Sequence, residues 1–410
     1  MLILDAHLDL SLNAIEWNRD LTLPLSQIRE SEVPLPGKAG CGHGTVSLPE
    51  MRRAGVGLCV ATQLARVELN GWSPVNGWRS QAQAWAMTQG QLAWYQAMEE
   101  AGEMRQIRAA SDLRDHVATW EQALARKDDS HLALPVGYVL SLEGADSLLT
   151  LDHLHKAYQG GLRAIGPAHY GPGVYANGTD SSGGFNPAGL ALLREAGALG
   201  LILDATHLCD DAFWQALDLY EGPIWASHHN CRALVPHNRQ LSDEMILALA
   251  ARDAVIGTAF DAWMLSPGWI RGQTTPESAG VTLSTVVDHM DHICQLTGTA
   301  RHLGIGSDLD GCFGTEQSPA DLNSIADLTR LPGLLSERGY TEADIQGIMN
   351  GNFVHFLLQA LDGRGSAPSE PSEPRFSKAA GHAVPGDWAR GGRSEIEAFA
   401  GGRGVGGVRR

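Results

Sequence analysis

Eight short apolar runs recur along the first 362 residues, at 2–6, 57–64, 134–142, 162–168, 200–206, 223–227, 254–260 and 302–307. Each is mostly apolar or small and lacks polar alternation, the pattern of strands covered on both faces, as in parallel sheets. Helical stretches lie between them. Residues 82–102 are apolar on one face, and Asn186-Pro187 supplies an N-cap and a first-turn proline for a helix over 188–198. Further helices are expected from 241–244 onward, over the amphipathic segment 282–296, and from Thr341-Glu342-Ala343-Asp344, which opens the last. Eight strands alternating with helices predict an α/β fold, a closed (β/α)8 TIM barrel, with a doubly wound open sheet as the alternative.

The pattern stops near Gly363. Residues 363–410 are rich in Gly, Pro, Ser and Arg and poor in large apolar side chains, too little to offset the entropy of ordering them. The expected organisation is a barrel over 1–362 and a flexible tail over 363–410. The tail holds eight Lys and Arg against five Asp and Glu, net +3, which leaves −20 of the total −17 on the barrel.

Polar residues fall where the runs end. The first ends in His7-Leu8-Asp9, the third in Glu143, the fourth in His169, the fifth in His207, the sixth in His228-His229 and the eighth in Asp308. In a closed parallel barrel those ends share one rim, where catalytic groups gather. Residues two apart in extended chain point the same way, so His7 and Asp9 can grip one cation. Glu143 has two oxygens and can bridge two ions, with His207 and His228 completing the second. Such a pair of ions holds a shared water whose pKa falls towards neutrality, yielding hydroxide. The histidines of Asp288-His289-Met290-Asp291-His292 sit on a helix before strand eight, in the outer ring, where surface or packing roles are expected; His43, His116, His131, His153 and His155 belong to no constellation.

The acidic balance argues against nucleic-acid and anionic-membrane partners, which need a basic footprint. No apolar window is long enough for a membrane span, no secretory leader is visible, and six cysteines lack paired spacing; free thiols in a cytoplasmic protein are expected. There is no zincin motif, P-loop, nucleophile elbow or dinucleotide fingerprint.

Several segments in order resemble the membrane (renal) dipeptidases, peptidase family M19, among the amidohydrolase-like metal-dependent hydrolases. They are His7-Leu8-Asp9, Ser141-Leu142-Glu143-Gly144, Leu203-Asp204-Ala205-Thr206-His207, residues 226–234 (ASHHNCRAL), residues 304–311 (GIGSDLDG), the helix at 288–292, and residues 348–353 (IMNGNF). The resemblance covers nearly all of 1–362. It implies a metallo-dipeptidase, a hydrolase of dipeptides with tolerance for a C-terminal D-residue, carrying two Zn2+ bridged by Glu143 and hydroxide. His7 and Asp9 would hold the first zinc, His207 and His228 the second. His169 would contact the substrate carbonyl, Asp308 would pass a proton to the leaving amine, and Arg239 would pair with the terminal carboxylate, which suits a guanidinium fork. A homodimer is also implied.

Two departures stand out. The family's more Asn-rich stretch is here Tyr170-Gly171-Pro172-Gly173-Val174-Tyr175, and its small polar residue after the second-zinc histidine is here His229, which leaves the ligand ambiguous between His228 and His229. His228 directly follows Ser, as the family pattern requires. The alternatives are another binuclear amidohydrolase acting on N-acyl amino acids, lactones or cyclic amides, and a non-catalytic metal-binding scaffold.

Overall fold

The computed structural model describes residues 1–33, 39–68 and 77–363, so all of the expected tail but Gly363 lies outside the described residues. Eight parallel strands are present: β1 (Ile3–Leu8), β2 (Val56–Leu64), β3 (Val136–Glu143), β4 (Leu162–Gly166), β5 (Ile202–Asp204), β6 (Ile224–Trp225), β7 (Ile256–Thr258) and β8 (Leu303–Ile305). They pair in the order β7-β8-β1-β2-β3-β4-β5-β6. A parallel bridge between Ala226, just past β6, and Ile256 in β7 closes the ring. There the Ala226 N–H donates to the Val255 carbonyl at 3.1 Å and the Gly257 N–H to the Ala226 carbonyl at 2.9 Å. The chain forms the expected (β/α)8 barrel. A short strand, Met104–Gln106, adds beside the start of β3, and Arg66–Val67 pairs with Gly77–Trp78.

Each predicted run contains a strand, but most ladders are shorter than their runs. The reason is that side chains take over the backbone donors at the rim. Asp204 Oδ1 accepts the N–H groups of Thr206 (3.0 Å) and Ser227 (3.1 Å), ending β5 and β6. Asp5 Oδ1 likewise accepts the Ser307 N–H at 2.9 Å, ending β8.

The helices follow their signals. Pro187–Ala198 is capped by Asn186, whose side chain accepts the Gly189 N–H, and Asp243–Ala250 by Ser242. Gln81–Glu100 and Leu283–Thr297 lie where expected. The last helical element is broken: Glu342–Gln346 passes through a π-helical turn, Gly347–Gly351, into Asn352–Asp362. Asparagines tie this turn to the barrel, Asn350 Nδ2 donating to the Leu2 carbonyl (2.7 Å) and Asn352 Nδ2 to the Leu303 carbonyl (2.8 Å). Such bulges accommodate side chains that must reach fixed partners. Phe353 then packs where a Cβ on Gly304 would come within 2.3 Å of its ring, which requires glycine in β8. One apolar cluster joins Leu4, Ala6, Leu58, Val60, Val139, Ala164, Ile202 and Trp225 to the closing helix, and a larger one fills the space around it. Among the described residues no helix is long and apolar enough to cross a membrane.

Candidate metal centre

Because all eight strands are parallel, their C-terminal ends open on one mouth, and the predicted residues converge there. His7 lies in β1 and Glu143 ends β3, while Asp9, His207, His228 and Asp308 come from the turns after β1, β5, β6 and β8. Glu143 stands between two groups. Its Oε2 is 3.5 Å from His7 Nε2, and its Oε1 is 3.1 Å from His207 Nε2 and 3.5 Å from His228 Nε2. His7 Nε2 lies 3.8 Å from both Asp9 Oδ1 and Asp308 Oδ1. The ligand-competent sets are thus His7-Asp9-Glu143, Glu143-His207-His228 and His7-His228-Asp308.

Two observations test whether a metal fits. His7 Nε2 is buried without a hydrogen-bond partner, an orphan that a cation would satisfy. In the second set the His207 and His228 Nε2 atoms are 3.2 Å apart, and with Glu143 Oε1 they form a triangle of 3.1, 3.2 and 3.5 Å. Tetrahedral zinc with bonds of 2.0–2.1 Å sets its nitrogen ligands about 3.3 Å apart. The donors fit.

Hydroxyls orient these groups from behind. Thr62 Oγ1 donates to Asp9 Oδ1, Thr179 Oγ1 is 3.2 Å from His207 Nδ1, and Ser227 Oγ is 2.9 Å from His228 Nδ1 and 3.4 Å from His7 Nδ1. Outer partners of this kind fix imidazole rotation and tautomer in metal sites. Asp310 accepts from Thr45 N–H (2.6 Å) and Val46 N–H (3.0 Å) and pairs with Arg19 at 3.1 Å, fixing the loop that carries Asp308. His207 and Asp308 both hold left-handed backbone, φ 68° and 58°, which costs a non-glycine residue of order 1–3 kcal/mol.

Electrostatics differ across the mouth. Burial alone would keep His7 neutral, but Glu143, then Asp9 and Asp308, overcome it and hold the imidazole protonated up to about 10. Burial, reinforced by Glu143, pushes Asp9 up to about 6. Burial, with Asp9 and Glu143 adding to it, raises Asp308 well above the carboxylate range. Glu143 goes the other way: burial is outweighed by His7 and the other imidazoles around it, and its pKa falls well below the usual value. His207 and His228 are depressed, first by burial, then by neighbouring cations including Arg239. The carboxylates crowded around His7 make this side of the mouth one where a divalent ion would be held.

His169, past β4, stands with Nε2 3.7 Å from Glu143 Oε1 and its ring 4.3 Å from that of His207. Burial, then Arg66 and Arg239, push it down to about 3 against the pull of Glu143, so the ring is neutral. Arg239 is buried, 1% exposed. The two histidines after Ser227 turn apart: His228 turns Nε2 into the cluster, whereas His229 Nδ1 faces Arg239 Nη1 at 3.3 Å. His289 is buried, accepting the Cys231 N–H at 3.0 Å, and His292 pairs with Asp243 at 2.7 Å, the packing and surface roles expected of them. Sequence reasoning missed Asp5, Thr62, Thr179, Asp204 and Tyr170, whose ring lies 5.1 Å from both His169 and His207. It also missed Asp261, which is buried beside the mouth after β7, accepts from Gln317 at 2.8 Å and is pushed up to about 6 by that burial. Ser227 beside His228, Asp204 in the His207 motif and Tyr170 after His169 carried a signal of position.

A parallel barrel with imidazoles and carboxylates gathered around one glutamate has the architecture of the metal-dependent hydrolases. The chain belongs to the membrane dipeptidase family (peptidase family M19), whose model matches residues 1–367. It is similar to an uncharacterized dipeptidase of Schizosaccharomyces pombe, 31% identical over 53% of this chain and 51% of that protein. A dipeptidase of Claviceps purpurea is 29% identical over 58% of this chain and 55% of its own. These matches span about half the length of those curated relatives. Among solved structures, a metallo peptidase from Rhodobacter sphaeroides liganded with a phosphinate mimic of L-Ala-D-Ala shares the fold at TM-score 0.69 and 22% identity, covering 88% of this chain and 99% of that one. The probable dipeptidase PvdM from Pseudomonas aeruginosa does so at TM-score 0.67 and 19% identity, over 88% and 96%.

Proposed function

We infer that this chain is a zinc-dependent dipeptidase. The observation that carries the reading is the division of Glu143, with Oε2 towards His7 and Oε1 towards His207 and His228, the disposition of a carboxylate shared by two cations. His7 and Asp9 would hold one ion, His207 and His228 the other. A zinc pair supplies Lewis acidity and a water acidified towards neutral pH.

The chain's own residues do the rest. The neutral His169 ring offers an N–H to the peptide carbonyl as charge develops on its oxygen. Asp308, 3.8 Å from His7 and held in a strained backbone conformation, is the general acid-base that delivers a proton to the leaving nitrogen. Arg239 binds the terminal carboxylate, for which its planar fork is matched. Cys59, Cys209, Cys231 and Cys294 are free thiols, which suits a reducing compartment and supports a cytoplasmic enzyme. The ligand of the Rhodobacter sphaeroides protein makes L-Ala-D-Ala, beside L-Ala-L-Ala, the first substrate to try.

The test is hydrolysis of a dipeptide library with metal analysis of the same sample. Two zinc equivalents and turnover of dipeptides with a free amino terminus are expected, and Asp308→Asn should retain metal while losing about 10²–10⁴ in kcat. Hydrolysis of N-acyl amino acids or lactones in place of dipeptides would overturn the reading.

A further inference from the structure

The pair His229–Arg239 is set apart from the metal cluster and does a different job. Arg239 is buried with 1% exposure, yet no carboxylate forms a salt bridge with it among the described residues. Two acceptors fix its fork: Nη2 donates to the His228 carbonyl at 3.0 Å, and Nη1 faces His229 Nδ1 at 3.3 Å. The His229 backbone is itself anchored, its N–H donating to the Gly257 carbonyl at 2.7 Å on β7. A guanidinium has only donors, so His229 Nδ1 must accept and the ring proton must sit on Nε2. One carbonyl alone would let the fork swing about that contact; the imidazole supplies the second point that fixes its plane.

The donor left over points to a ligand. Arg239 Nε is buried and meets no acceptor among the described residues. Leaving buried N–H groups unpaired is costly, and an anionic oxygen brought from outside removes the cost.

We propose that His229 is a positioning residue that locks the Arg239 guanidinium to receive the terminal carboxylate of a dipeptide, making the site selective for a free C-terminus. This rests on the dipeptidase reading for its substrate, but the His229–Arg239 pair stands on its own geometry.

The experiment compares Ala-Ala with Ala-Ala amide on the zinc-loaded full chain. His229→Ala should raise KM for the free acid about 10- to 100-fold, the worth of one or two charge-assisted hydrogen bonds, with a much smaller change in kcat and in the amide's KM. His229→Asn, whose Oδ1 stands near the position of Nδ1, should recover most of the loss. Equal losses on acid and amide, or no rescue by Asn, would overturn the proposal. Imidazole 15N NMR reads the pair without any substrate. His229, assigned by comparison with His229→Asn, should show the neutral Nε2–H tautomer at pH 7, and Arg239→Met should disturb it. A proton on Nδ1 overturns the proposal whatever the enzyme hydrolyses. Absent dipeptide turnover beside the expected tautomer would instead break the dipeptidase reading and leave the pair intact.

Discussion

The two halves of the imidazole and carboxylate cluster at the barrel mouth set the same residue type among different charges. On the β1 and β8 side, Glu143, Asp9 and Asp308 surround His7 and raise its pKa against burial. On the β5 and β6 side, His207 and His228 are equally buried, yet their pKa values are driven well below 6.5, with Arg239 adding to burial. Burial is common to both, so neighbouring charge decides the outcome. On the two-ion reading proposed above, an acid-rich half and an imidazole half, joined by Glu143, would offer each ion a different charge.

Removing the joint is the largest test. Glu143→Gln keeps the shape but deletes the charge both halves share. Metal content after dialysis should fall below two equivalents and turnover by at least about 10³-fold, since in the proposed site this carboxylate would serve both ions. Retention of two ions with full turnover would mean that the halves bind independently.

Each half also has its own buried carboxylate brace, and these sharpen the contrast in stability. Asp5, fully buried, accepts the N–H of His7 (3.2 Å), the N–H of Ser307 (2.9 Å) and the Ser307 hydroxyl. Asp204, 6% exposed, accepts two N–H groups, from Thr206 and Ser227. Stranding a buried donor costs about 1–3 kcal/mol. Urea unfolding should show Asp5→Ala losing about 3–4 kcal/mol and Asp204→Ala about 2–3, the acid half paying more. The reverse order would assign the tighter bracing to the imidazole half.

Much of this was legible in sequence. The eight strands were visible because parallel ladders need apolar residues on both faces, and the candidate ligands because polar groups placed at run ends must converge on one rim. What stayed hidden depends on contacts distant in the chain. Asp5 and Asp204 sit inside apolar runs, and nothing local says that each takes over backbone donors from another strand. Thr62 and Thr179 are ordinary threonines until the fold sets them behind Asp9 and His207. The left-handed backbone at His207 and Asp308 opposes local preference and persists only because tertiary contacts impose it. His229 read as a possible ligand because spacing along a strand end cannot tell which of two adjacent side chains turns inward.

The smallest effect concerns the support behind the imidazole half. His289 Nδ1 accepts the Cys231 N–H three residues after His228, and burial, against a hydrogen bond to Leu265, pushes its pKa down to about 4 from 6.5. Between those pH values the unfolded chain binds a proton that the folded chain refuses. The contribution of a neutral His289 is therefore fully present above pH 6.5, shrinks as pH falls, and is gone by about pH 4. A gap of about 2.5 units is worth about 3 kcal/mol at most. His289→Asn keeps an acceptor near Nδ1 but cannot be protonated, so the difference in urea-unfolding free energy between wild type and variant should move by up to that amount, in favour of the variant, from pH 7 to pH 4. A difference that stays flat with pH would show that His289 takes up its proton in the folded state as readily as in the unfolded one. The imidazole half would then owe none of its acid sensitivity to that helix.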